Sequence, residues 1–150
     1  MANDMAHDAA GDVAVCSKCG TKNRLPKTAS GRPRCASCHT DLPWLVNVAD
    51  AEFREAVDTD QLVLVDLWAA WCGPCRMVAP VLEKLARNFV GDLKVVKVDV
   101  DANPMIARSF QASSIPMLVF LRSGKLLETV VGAQPEHVLT DKVRHHLAAV

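Results

Sequence analysis

The chain has no excess of either charge: 17 basic residues stand against 17 acidic ones over 150 positions. Proteins that hold a phosphate backbone do so with clustered cations, so a neutral balance gives no reason to expect nucleic acid as the main partner. No stretch approaches the roughly 20 consecutive apolar residues of a membrane-crossing helix, which makes membrane anchoring an unexpected outcome. The first fifteen residues contain Asp4, Asp8 and Asp12 but neither lysine nor arginine. Without a basic start or an apolar centre they do not read as a secretory leader. Residues 1–14 are small and polar, lack apolar periodicity and are expected to form a disordered tail. Internal repeats and low-complexity runs are also missing. The expectation is a cytoplasmic monomer with one main domain and a small appendage.

What the chain does have is six cysteines. Cytoplasmic thiols are kept reduced, so these are expected to be catalytic or metal-bound and not structural disulfides. Trp71-Cys72-Gly73-Pro74-Cys75 sets two thiols one helical turn apart. The preceding run, residues 62–68, reads as a strand buried on both faces, while Met77, Val78, Val81, Leu82, Leu85 and Phe89 recur at helical spacing after it. Cys72 therefore falls at a strand-to-helix junction, where free N–H groups and the positive dipole end favour a thiolate. Cys72 is the expected nucleophile, and Cys75, inside the helix, the resolving thiol. Pro74 suits a first helical turn, and Gly73 presents no side chain to an approaching substrate.

Further on, residues 45–48, 93–99, 117–122 and 126–131 read as strands and residues 50–57, 75–89 and 104–110 as helices, with Pro80 expected to kink the longest. Ser123-Gly124 signals a hairpin, and Leu139, Val143 and Leu147 mark a terminal amphipathic helix. Alternating strands and helices imply an α/β sheet covered on both faces.

The run Trp68-Ala69-Ala70-Trp71-Cys72-Gly73-Pro74-Cys75-Arg76, with Asp66, Lys97, Ile115-Pro116 and Val131-Gly132-Ala133 in order around it, resembles the thioredoxin family. The resemblance implies a thioredoxin fold over residues 44–150, a central mixed sheet flanked by helices. It also implies a protein dithiol–disulfide oxidoreductase re-reduced by a thioredoxin reductase and acting on disulfide-containing protein substrates. It makes Asp66 a buried proton acceptor for Cys75 with Lys97 beside it, and Pro116 a cis proline facing the cysteines. Trp71, Gly73, Pro74, Ile115, Gly132 and Ala133 become a substrate-docking face. From the residues alone, Asp66 interrupts six apolar neighbours and is either buried, with a raised pKa or a partner, or on an edge strand facing water. Met117 and Ser114 depart from the residues usual in the family next to this proline. The rival enzymatic reading is a disulfide-forming oxidase or isomerase. A non-enzymatic one treats the appendage as a docking module on a redox-fold scaffold.

The appendage, residues 15–40, holds Cys16-x-x-Cys19 and Cys35-x-x-Cys38. Between Cys16 and Cys38 lie six basic residues, no acidic one and too little apolar surface for a core. Two such pairs at this spacing fit a zinc ribbon, in which four thiolates about 2.3 Å from one ion close a tetrahedron and leave it structural. Disulfides, a second redox pair or four-sulfur iron are the alternatives. Gly20 permits the turn that such a knuckle needs. The arrangement resembles the zinc-containing type-two thioredoxins of bacteria, and an oxidant-responsive role for the metal is a further expectation. A short link, residues 40–43, is expected to be all that joins the two parts. Trp44 carries no assignable role, and the five histidines read as solvated surface.

Overall fold

The computed structural model describes residues 12–28 and 31–149. Five strands form the main sheet in the order β3-β5-β4-β6-β7, where β3 is Trp44–Asn47, β4 Leu62–Trp68, β5 Leu93–Asp99, β6 Met117–Arg122 and β7 Lys125–Val131. Strands β3, β5 and β4 run parallel, with β6 antiparallel to β4 and β7 antiparallel to β6. The apolar run of β4 is explained by its central place: Leu62 to Leu67 are all buried, with neighbours on both edges.

Helices α2 (Gly73–Asn88) and α4 (Glu136–Ala148) cover one face. There Val78, Leu82, Leu85, Leu139 and Val143 pack on Leu62, Leu64, Leu93, Val95, Leu118 and Phe120. A 3-10 turn, Asp50–Glu52, leads into α1 (Phe53–Val57), and with α3 (Pro104–Ser109) it covers the other face, over Val46, Val65, Leu67, Val96 and Val119. Pro80 lies within α2, which continues as one helix to Asn88. His146, expected at the surface, instead pairs with Glu128 at 2.8 Å and rests its ring on Phe120.

The appendage begins earlier than the sequence suggested. Strands β1 (Val13–Val15) and β2 (Lys22–Arg24) pair as an antiparallel hairpin, and Asp12 is buried. The expected tail thus gives up residues 12–14 to the ribbon; residues 1–11 lie outside the described ones. Three-residue strands carry too little alternation to be legible in sequence.

The ribbon is also not joined by its linker alone. Leu42 is buried, and Cys16, Leu25, Cys35 and Leu42 share one apolar cluster with Trp44 and Val46. Trp44 donates its indole N–H to the Pro26 carbonyl at 2.8 Å. Lys94 is fully buried, its ammonium 4.2 Å above the Trp44 ring, donating to the carbonyls of Lys27 at 2.7 Å and Ala56 at 2.6 Å. Asp12 accepts from the Asn47 backbone N–H at 2.8 Å, and Lys27 bonds both Asp12 and the Asn47 carbonyl. Trp44, to which sequence gave no role, anchors the ribbon.

Candidate active site

Residues Ala69 to Cys72 carry the chain from the end of β4 to the start of α2. Cys72 is the N-cap of α2, in extended conformation, and its sulfur accepts the Cys75 backbone N–H at 3.2 Å. That bond satisfies one of the free N–H groups of the helix start, the donors that would stabilise a Cys72 thiolate once the pair is reduced. Cys72 and Cys75 are joined as a disulfide with Cα atoms 5.3 Å apart, and both are buried. Pro74 occupies the first turn, where no donor is lost. Arg76 folds back to donate to the Ala70 carbonyl at 2.7 Å, bracing the turn.

The Ile115–Pro116 peptide is cis, and the Ile115 carbonyl oxygen lies 3.7 Å from the Cys72 sulfur. Gly132 stands behind it with φ +94°, donating its N–H to the Pro116 carbonyl at 2.8 Å. A side chain is disfavoured at such a φ. Trp71 is 68% exposed and donates to Asp101 at 2.9 Å, so it is a surface aromatic beside the thiols and not a core one. Met77, which helical spacing placed in the core, is 71% exposed. Gly73, Pro74, Ile115 and Ala133 are at least partly accessible, so the docking residues named from sequence lie at the surface. Asp101 and Met77 were not singled out for this surface; no pattern in the sequence marks either.

Asp66 is 0% exposed on the central strand, which removes the edge-strand reading. Its oxygens have no hydrogen-bond partner among the described residues. Burial pushes the carboxyl up to about 6, against the pull of the Lys97 ammonium. Lys97 is the register partner of Asp66 on β5 and lies 5.0 Å over the Trp68 ring. It lines a cleft of about 560 Å³ together with Trp68, Ala70 and Asn47. A cleft of similar size, about 570 Å³, opens at the other end of the sheet around Gln61 and Arg122 and holds no thiol.

The other four cysteines converge: their sulfurs all lie within 4.8 Å of one another, with Cys16 to Cys38 and Cys19 to Cys35 at 3.5 Å. Ligands about 2.3 Å from a common ion, in tetrahedral array, sit roughly 3.8 Å apart, so the cluster is of the size a metal requires. Both knuckles turn alike, Gly20 donating to the Cys16 carbonyl and His39 to the Cys35 carbonyl, with φ +80° and +66°. Asn23 ties them together by accepting the Ala36 N–H at 2.9 Å. The Cys35 thiol is held down to about 5, chiefly by the Cys38 backbone N–H, and Cys38 is lowered by Thr40, whereas Cys16, despite the Cys19 backbone N–H, is raised by burial and by the neighbouring sulfurs. The two lowered thiols are the ones readiest to ionise as metal ligands.

The thioredoxin family model matches residues 44–145. Thioredoxin 1 of Nostoc sp. is 46% identical over 101 residues, covering 67% of this chain and 94% of that protein. A Staphylococcus aureus thioredoxin is 44% identical over 103 residues, covering 69% and 98%. The solved structure of a mutant thioredoxin from Halobacterium salinarum superposes with a TM-score of 0.62 at 37% identity, covering 69% of this chain and 90% of that one. The chain belongs to the thioredoxin family and is a thiol–disulfide oxidoreductase. The family match begins at Trp44, so the four-cysteine ribbon lies ahead of it.

Proposed function

We propose that the chain is a cytoplasmic protein-disulfide reductase with a structural zinc ribbon. The observation that carries the reading is the capped Cys72 sulfur, which accepts the Cys75 N–H at the start of α2 and faces the Ile115 carbonyl. In the reduced state the Cys72 thiolate attacks one sulfur of a substrate disulfide, forming a mixed disulfide and expelling the other sulfur as a thiolate. Cys75 then gives its proton to the Asp66 carboxylate and attacks the Cys72 sulfur. That releases the second substrate thiol and leaves the Cys72–Cys75 bond. Two electrons pass to the substrate, and a thioredoxin reductase returns them.

The backbone at Ile115 offers an extended substrate a strand-like partner, while Trp71, Gly73, Pro74, Gly132 and Ala133 frame the approach. Lys97 and Pro116 hold the surroundings of Asp66 and Cys72. Cys16, Cys19, Cys35 and Cys38 would hold the zinc, which would supply a cross-link where the ribbon has little apolar core of its own. Reduction of disulfides fits a compartment whose thiols are kept reduced, and no helix among the described residues is long and apolar enough to cross a membrane.

Reduction of insulin coupled to NADPH and thioredoxin reductase is the test. Wild type is expected to turn over and Cys72→Ser to lose at least about a thousandfold, whereas residual turnover by Cys72→Ser within about tenfold of wild type contradicts the assignment. Elemental analysis of protein purified under reducing conditions is expected to give one zinc per chain, and none in Cys35→Ser.

A further inference from the structure

Across three adjacent strands the register places Asn47, Lys97 and Asp66 side by side: Asn47 pairs with Lys97, and Lys97 with Asp66. Side chains two apart along a strand share a face, so Asn47, Lys97 and Asp66 lie on the face of Leu45, Val95 and Leu64, which belong to the cluster under α2 and α4. The three form one polar row on the face that α2, the helix of Cys75, covers. At its outer end the row meets the ribbon, where Asp12 accepts from the backbone N–H of Asn47 at 2.8 Å and its side-chain amide at 3.4 Å, and Lys27 bonds Asp12 and the Asn47 carbonyl. Lys27 also walls the cleft in which Lys97 stands.

We propose that the ribbon's Asp12 and Lys27 are positioning residues of the proton-accepting site, which set the proton affinity of Asp66 through Asn47 and Lys97. The inference rests on the reading of Asp66 as the group that takes the Cys75 proton. Two strand spacings of about 4.8 Å separate Asn47 from Asp66, which puts the ion pair bonded to Asn47 on the order of 10 Å or more from Asp66, a range over which a charge acts weakly across a low-dielectric sheet. The Asp12 side chain is only 6% exposed and that of Lys27 33%, so solvent screens the anion less than the cation. The other charged groups around Asp66 are few. Strand β5 contributes Lys97 and Asp99 and the 3-10 turn Glu52 at the cleft, while α2, which covers this face, carries Cys75. Opposite Asp66, β6 offers Leu118, and α4 contributes Leu139 and Val143, none of which titrates.

The pair is nearly neutral as a whole, so its two halves predict opposite effects. Removing the cation leaves Asp12 as an unbalanced anion and makes Asp66 harder to ionise; removing the anion leaves Lys27 unbalanced and makes it easier. A merely structural contribution moves both variants the same way. The measurement is a carbon-13 NMR titration of the Asp66 carboxyl in the full, reduced, zinc-loaded chain, assigned by its disappearance in Asp66→Asn. Lys27→Gln is expected to raise the Asp66 midpoint by about 0.3–0.5 pH unit, Asp12→Asn to lower it by a similar amount, and Lys27→Arg to leave it in place. Unchanged midpoints in the first two variants, or shifts of one sign in both, overturn the proposal. Should one variant fail to keep the ribbon folded, the midpoint of the other decides alone. Stopped-flow resolution by Asp66→Asn separates the two claims. A wild-type rate from about pH 6 to 9 removes Asp66 as proton acceptor, while the carboxyl titration still decides whether the ribbon governs its proton affinity.

Discussion

At the residue scale the most consequential group is Asp66. A carboxyl that titrates at about 6 because it is buried is mostly ionised at neutral pH yet binds a proton far more readily than an exposed one, which is the condition for taking a proton in one step and releasing it in the next. The same shift bears on stability. Because the folded midpoint lies above the unfolded one of 3.8, the stabilising contribution of protonated Asp66 is fully present below that unfolded value and is lost as pH rises through about 6. Asp66→Asn, which cannot ionise, escapes this loss. Relative to wild type it is expected to gain on the order of 3 kcal/mol in denaturant unfolding between about pH 4 and pH 8, while resolving mixed disulfides more slowly near neutrality. A pH-independent difference in stability contradicts the buried carboxylate. Asp66 was legible because a charge in an apolar run has few explanations. Lys94 was not: Leu93-Lys94-Val95-Val96-Lys97 shows two lysines on one strand, and nothing in their neighbours says that the first is fully buried between two carbonyls while the second edges a cleft. Asp12 was hidden in the same way, since its partners Lys27 and Asn47 are 15 and 35 positions away.

At the scale of elements, the redox half could be read closely. Strand β5 covers Leu93–Asp99 and β6 Met117–Arg122, as periodicity indicated, because long apolar runs bounded by turns leave little freedom. Helix α2 starts two residues earlier than read, at Gly73, since the Cys72 side chain itself supplies the cap. The knuckles carry a separate prediction. Gly20 and His39 occupy equivalent places, four residues after Cys16 and Cys35, and both have positive φ, which costs a residue with a Cβ about 1 kcal/mol. His39→Gly is expected to slow zinc loss to a competing chelator by about two- to fivefold and leave disulfide reduction unchanged; faster loss contradicts the strain argument. Lys94→Met keeps the bulk but removes the donor from the Lys27 and Ala56 carbonyls. A cost of about 2–4 kcal/mol is expected, with faster amide exchange in the ribbon, because two buried acceptors lose their partner. Wild-type exchange in that variant contradicts the anchoring role.

At the scale of the whole molecule, two units that sequence separates by a linker are bound together through Trp44, Lys94 and the Asp12–Lys27 pair. Stripping the metal under reducing conditions is therefore expected to unfold residues 16–38 and also to lower the Tm of the remaining domain by several degrees, since Trp44 and Lys94 lose their partners. Unchanged melting of the redox half after chelation contradicts this coupling. None of it alters the chemistry proposed for its centre, a division of labour between two thiols. On that proposal Cys75→Ser keeps the attacking thiol and removes the resolving one, so disulfide substrates should be trapped on the protein. The decisive measurement is mass spectrometry of adducts formed by Cys75→Ser and Cys72→Ser with one disulfide peptide. Near-stoichiometric adduct on Cys72 in the first variant and little or none in the second is the predicted result; adduct on Cys75 in the second, with none in the first, contradicts it.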